Sequence, residues 1–168
     1  GIPVRFRSPA RGLLESTIMP YYGSQHNSRV LFVGCDWYTK HYRKLFKNCD
    51  YWTIDPDPKK RRYGAKKHIV DFLENLDKHF EPGYFDVIIC NGVLGFGLDQ
   101  KEAAERAFHG CFDNLRREGI LVLGWDDSPT LLPFSIDELE SLGKFKPCPF
   151  PPLSTSNYSM KPQHDYIF

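Results

Sequence analysis

The sequence predicts a doubly wound α/β domain: a mostly parallel sheet, helices on both faces, and a reversed strand at the end. Three observations carry this reading. Short continuous apolar runs recur at Arg29–Gly34, Asp50–Asp55, His68–Asp71, Phe85–Cys90 and Ile120–Gly124, as strands buried on both faces do. Helix-like spacing or turn residues separate these runs, so strand and helix alternate as in right-handed βαβ units. The last two apolar runs, Phe145–Phe150 and Asp165–Phe168, have only a Pro-rich stretch between them. That suggests an antiparallel hairpin at one sheet edge.

Taken in order, residues 1–28 read as an N-terminal extension or short helix, and 29–168 as the domain. Pro3, Pro9 and Pro20 punctuate the first segment. A helix over Ala10–Met19 is expected, capped by Ser8 with Pro9 in its first turn. After the first strand, Tyr38–Lys47 has helical character. Pro56-Asp57-Pro58 closes the second strand. Leu73–Phe80 reads as a helix, and Glu81-Pro82-Gly83-Tyr84 as a turn into the fourth strand. Gln100–Arg117 places Ala103, Ala104, Ala107, Phe108, Cys111, Phe112 and Leu115 on one helical face. Gly119 ends that helix before the fifth strand. Ser135, three residues before Glu138, has the form of a capping box.

The 168 residues suit one domain with its own core. With 22 basic and 21 acidic side chains, the net charge is +1. No global field therefore draws the chain to nucleic acid or to an anionic membrane. The local exception is Lys59-Lys60-Arg61-Arg62 with Lys66 and Lys67, which reads as a solvated loop or an anion patch. The five cysteines include no C-x-x-C pair, so no zinc or redox motif stands out and no metal is implied. Reduced thiols fit a cytoplasmic protein. No apolar run approaches the ~18 residues of a membrane span.

In open α/β sheets, ligands bind beyond the carboxyl ends of the strands, at the point where strand order reverses. Four polar groups fall at such ends. Gly34-Cys35-Asp36 follows strand one, with Gly34 allowing a tight turn and close approach. Asp55 ends strand two, where a carboxylate can take a ribose diol or cap the turn before Pro56. Asp71-Phe72 follows strand three: the carboxylate can accept from an exocyclic amine or cap the next helix, and the ring can cover an aromatic face. Asn91-Gly92 opens a glycine-rich loop after strand four. One glycine in the first loop is not the dinucleotide fingerprint G-x-G-x-x-G, and no Walker-A lysine motif occurs.

From Arg29 to Trp125 the chain resembles the class I S-adenosylmethionine-dependent methyltransferases. The resemblance rests on VLFVGCD, TIDPD, HIVDFLENL, FDVIICNGVLGF and AFHGCFDNLRREGILVLGW. It implies a Rossmann-like methyltransferase fold, with S-adenosyl-L-methionine as cofactor. It also implies that Gly34, Cys35 and Asp36 contact the methionine part and that Asp55 holds the ribose hydroxyls. Asp71 and Phe72 would lie at the adenine, and Asn91 and Gly92 would line the methyl-transfer pocket. The first loop has one glycine where the family usually has two or three. The fourth loop lacks the Asn/Asp-Pro-Pro-Tyr/Phe motif, which argues against an exocyclic nucleic-acid amine as acceptor.

Among six histidines, His41 and His164 are the candidates for a catalytic base, should an oxygen acceptor need one. The expected acceptor is a small molecule or sugar-like metabolite. A nucleic acid or protein acceptor, and a homo- or hetero-oligomer, are compatible with the same residues. The alternative function is a non-catalytic scaffold or partner-binding domain built on the same fold.

Overall fold

The computed structural model describes residues 9–126, 130–160 and 164–168. Its centre is a seven-stranded sheet in the order β3-β2-β1-β4-β5-β7-β6. The strands are β1 (Arg29–Val33), β2 (Asp50–Asp55), β3 (Lys67–Val70), β4 (Phe85–Asn91), β5 (Leu115–Asp126), β6 (Asn157–Met160) and β7 (His164–Ile167). The first five run parallel, whereas β7 is antiparallel to both β5 and β6. The predicted fold class is therefore the observed one, including the reversed strand.

Both sheet faces are covered, which explains why the central strands read as unbroken apolar runs. Alternate residues serve opposite cores. Leu31, Val33, Ile88 and Cys90 face one, and Val30, Phe32, Val87 and Ile89 the other. Helix α4 (Lys101–Asn114) packs on the first face through Ala104, Ala107, Phe108 and Cys111, all fully buried. The second face is covered by an N-terminal helical run comprising α1 (Pro9–Leu13), a π turn (Leu14–Ile18) and α2 (Met19–Gly23). Leu14, Ile18, Met19 and Tyr22 enter the core, and Tyr166 Oη donates to the Ala10 carbonyl at 2.8 Å. The predicted Ser8 cap lies outside the described residues.

Several predicted elements change form. Tyr38–Lys47 contains only a 3₁₀ turn (Trp37–Thr39) and the four-residue α3 (Tyr42–Leu45). Tyr42 and Phe46 are its two buried anchors, and β2 starts four residues after the second. The segment Leu73–Lys78 is 3₁₀ rather than α. Its buried residues, Leu73 and Leu76, are three apart, which is the repeat of that tighter helix. Helix α4 stops at Asn114, before the expected Arg117, because Leu115 turns to extended backbone and pairs with Phe85. A bulge with Glu118 at φ +64° then carries β5 back into register at Ile120. The hydrophobic spacing of Leu115 suits either element, so only strand pairing decides between them.

Phe145–Phe150 is not a strand, apart from a single bridge from Phe150 to Thr155. Pro147 and Pro149 have no N–H to give a ladder. The partner of the last strand is instead Asn157–Met160, from the far side of the Pro-rich stretch. The capping box at Ser135 forms as expected, with Glu138 accepting from Ser135 N at 2.6 Å. All five cysteines are free thiols. Among the described residues, no helix is long and apolar enough to cross a membrane.

Candidate cofactor site

Strand order reverses between β1 and β4, so this fold opens a crevice beyond their carboxyl ends. Both loops at that point begin with a left-handed glycine: Gly34 at φ +84° and Gly92 at φ +72°. A Cβ at Gly34 would meet only Val93 Cγ1, at 3.4 Å, and one at Gly92 would meet nothing within 4 Å. Space at these positions is therefore open to a ligand backed by main chain.

Asp55 stands at the carboxyl end of β2, beside this point. Its Oδ2 accepts from Cys35 N and its Oδ1 from Asp57 N, each at 2.8 Å. The two amides fix the carboxylate, while each oxygen keeps a lone pair for another donor. Gly34 N donates to the Ile54 carbonyl at 2.9 Å, which holds the two strand ends together. The Cys35 thiol is buried, and burial pushes it up to about 12. Its contribution at the crevice is thus its backbone rather than a thiolate.

Asp36 occupies the place where a second loop glycine would allow bare backbone. Its carboxylate caps the 3₁₀ turn at Trp37 N and pairs with Lys60 Nζ at 2.7 Å. Burial opposes its charge, but the Lys60 hydrogen bond, the Trp37 amide and the Lys60 charge together hold it below the usual carboxylate range. Lys60 reaches over from the 3₁₀ turn after β2 (Pro58–Tyr63). One member of the basic run is thereby engaged beside Asp55 rather than only solvated.

Asp71 follows β3 and is held by three local donors. Oδ1 accepts from Phe72 N and Asn75 Nδ2, and Oδ2 meets His79 Nε2 at 2.8 Å. The Asn75 and His79 contacts bring its carboxyl down to about 2. The next ring, Phe72, is 54% exposed. Trp37, Val70 and Phe96 are also large apolar side chains left open at or just beyond the ends of β1, β3 and β4. Apolar rings are thus presented on the carboxyl-end rim, where an aromatic ligand can stack.

The two candidate histidines have different settings. His41 Nε2 pairs with Glu15 of the N-terminal helix at 3.3 Å and stacks edge-on against Tyr42. It ties that helix to the segment after β1. His164 opens β7, and its ring bridges two other strand ends: Nδ1 lies 2.6 Å from Asp126 Oδ1, and Nε2 lies 3.1 Å from Asn91 Oδ1. It therefore joins Asn91, while His41 does not. Sequence reasoning missed Lys60 and Asp126 as site residues. For Asp126 a signal was present, because it ends strand five just past Gly124-Trp125. Among the described residues, no group of three or more His, Cys, Asp or Glu side chains gathers to hold a metal.

A switch point with left-handed glycines and a strand-two carboxylate is where open α/β folds take their ligands, and comparison with known proteins gives the class of this one. The chain belongs to the methyltransferase domain family, which matches residues 31–123. It is a class I S-adenosylmethionine-dependent methyltransferase. Its fold is similar to that of a TehB-like SAM-dependent methyltransferase from Corynebacterium glutamicum (TM-score 0.64, 17% identity, 94% of this chain and 91% of that one). It is also similar to the PH0226 protein from Pyrococcus horikoshii (TM-score 0.65, 14% identity, 94% and 88% covered). The N-methyltransferase NodS from Bradyrhizobium japonicum, solved with S-adenosyl-L-homocysteine, matches with TM-score 0.63, 16% identity, and 94% and 84% covered. A comparison with curated protein sequences finds no match. Open space at the glycines, the fixed Asp55 carboxylate as acceptor and the exposed rings as stacking surfaces fit S-adenosylmethionine.

Proposed function

We propose that this methyltransferase acts on a small-molecule or sugar-like acceptor, with the cofactor spanning the carboxyl ends of β1 to β4. In this reading Gly34, Cys35 and Asp36 follow the methionine part through their backbone. Asp55 takes the ribose hydroxyls. Phe72 covers the adenine, with Asp71 at its edge holding the β3 loop in shape. Asn91 and Gly92 line the methyl-transfer end.

The observation that carries the reading is Asp55. Its two oxygens are fixed by the Cys35 and Asp57 amides, so a diol meets an acceptor already in place. When bound, the sulfonium supplies an activated methyl group, so proximity and alignment can provide much of the rate. The residues above bind and orient. His41, committed to Glu15, is a structural contact in this reading. A small acceptor is supported by the rim, where the described residues form short turns and no separate substrate domain.

The test is calorimetric titration of S-adenosylmethionine and S-adenosylhomocysteine into the protein. Micromolar binding is expected. Asp55→Asn should weaken both ligands by about 10- to 100-fold, the range for losing hydrogen bonds to a charged group. Absence of binding at millimolar ligand would overturn the reading in favour of a scaffold.

A further inference from the structure

The chain Asp126–His164–Asn91 crosses three strand ends and is unexplained by cofactor binding alone. Asn91 ends β4, Asp126 ends β5, and His164 begins the antiparallel β7. In register, Asn91 pairs with Gly124, and Asp126 pairs with His164. The imidazole must therefore reach past β5 to touch Asn91. Gly124 leaves it room: a Cβ there would fall 2.3 Å from Asn91 Oδ1 and 2.6 Å from Tyr166 Cε1. The absence of one side chain on β5 thus permits a contact between its two neighbours.

The protons then follow from chemistry. A carboxylate only accepts, so His164 Nδ1 carries its hydrogen toward Asp126. Nε2 faces Asn91 Oδ1, which is also an acceptor, so in this orientation both ring nitrogens carry hydrogen and the ring is an imidazolium paired with Asp126. The amide oxygen of Asn91 is consumed by this bond. Its Nδ2 has no partner among the described residues, and it is not among the sealed-off polar atoms, although the residue as a whole is only 9% exposed. An otherwise buried side chain thus keeps one open donor at the carboxyl end of β4.

We propose that Asp126 and His164, acting as a carboxylate–imidazolium pair, are positioning residues that hold the Asn91 carboxamide with its oxygen turned inward and its N–H₂ presented at the methyl-transfer end of the crevice. The class of acceptor this selects carries an oxygen lone pair, hydroxyl or carbonyl, beside the atom to be methylated. This inference rests on the cofactor placement proposed above. It also carries a sign. An amide N–H₂ offers nothing to a sulfonium cation, whereas an amide oxygen would attract it. Holding the oxygen away reserves the group for the acceptor.

The experiment measures the affinities of S-adenosylmethionine and S-adenosylhomocysteine in wild type, His164→Ala, Asp126→Ala, Asn91→Ala and the His164→Ala/Asn91→Ala double variant. Freeing Asn91 lets its oxygen turn to the sulfonium. In His164→Ala and Asp126→Ala, the affinity for S-adenosylmethionine relative to S-adenosylhomocysteine should rise by about 3- to 10-fold, the scale of one hydrogen bond. In the Asn91→Ala background, removing His164 should leave the ratio unchanged, because the effect passes through Asn91. A merely structural role would lower both affinities together and leave the ratio alone, which would overturn the proposal. A fall in the ratio would show the amide reversed, and would overturn it equally. If wild type binds neither ligand, the cofactor reading itself fails. If wild type binds and Asp55→Asn binds about 10- to 100-fold more weakly, but the ratio is fixed in every His164 variant, only this proposal fails.

Discussion

At the residue scale, the chain spends its polar groups at strand ends and satisfies them locally. Asp55, Asp36 and Asp71 each receive backbone N–H donors as well as any ligand role. A buried polar pair behaves differently. Thr53 Oγ1 accepts from Ala65 N at 2.8 Å and shares a hydrogen bond with His68 Nδ1 at 2.7 Å, while His68 Nε2 is buried with no partner among the described residues. Burial lowers the pKa of His68 below the usual histidine value. An unfolded histidine titrates near ~6.5. Below that pH the unfolded chain binds the proton more readily than the folded one, so stability falls as pH falls through this window. Urea unfolding at pH 7.5 and 5.5 should show the loss, and His68→Gln should flatten it. An unchanged slope in that variant would assign the effect elsewhere.

At the scale of elements, α4 is the main cover of one sheet face. Phe108 is fully buried at its centre, among residues of the first core. Phe108→Ala should cost about 3–5 kcal/mol, because the helix cannot collapse into the space left. The check is a urea midpoint shift with the slope of the transition preserved. The short 3₁₀ turns after β2 and β3 contrast with α4. The first buries no side chain and the second buries Leu73 and Leu76, and they carry Lys60 and the Asp71 network to the rim. The long helix α4 thus holds one face of the sheet, while short turns shape the crevice. On the edge, the β6–β7 hairpin contributes His164 to the middle of the sheet, although β7 begins 73 residues beyond Asn91.

At the scale of the whole molecule, a ligand that binds only the folded state must raise its stability. If the crevice holds the cofactor, S-adenosylhomocysteine at 100 times its dissociation constant should add about 2.7 kcal/mol. For a chain of this size that is a rise of about 5–10 °C in Tm. Thermal melts with and without ligand measure it, and Asp55→Asn, binding about 10- to 100-fold more weakly, should cut the gain to about 0.4–1.4 kcal/mol at the same ligand concentration. The charge distribution is also a whole-molecule property. Ten of the 22 Lys and Arg lie between Lys40 and Lys67, against three Asp, so the β2–β3 side is positive although the chain is nearly neutral.

The sequence by itself determined the sheet class, the five parallel strands and the strand-end positions of Gly34, Asp55, Asp71 and Asn91. It could do so because strands buried on both faces must be apolar runs, and their ends must be turn residues. The family resemblance was legible in the same stretches, and the match over residues 31–123 bears it out. Local patterning could not decide between states that bury the same residues. Leu115 satisfies a helix or a strand, and only its pairing with Phe85 chose the strand. Leu73 and Leu76 satisfy an α or a 3₁₀ turn. Phe145–Phe150 looked apolar enough for a strand, but its prolines left the ladder to Asn157–Met160. Only tertiary structure joined His164 to Asn91 and Lys60 to Asp36, because those contacts depend on strand order and on the empty place at Gly124. Contacts between distant residues follow from how the strands are arranged, and no short stretch of sequence contains that arrangement.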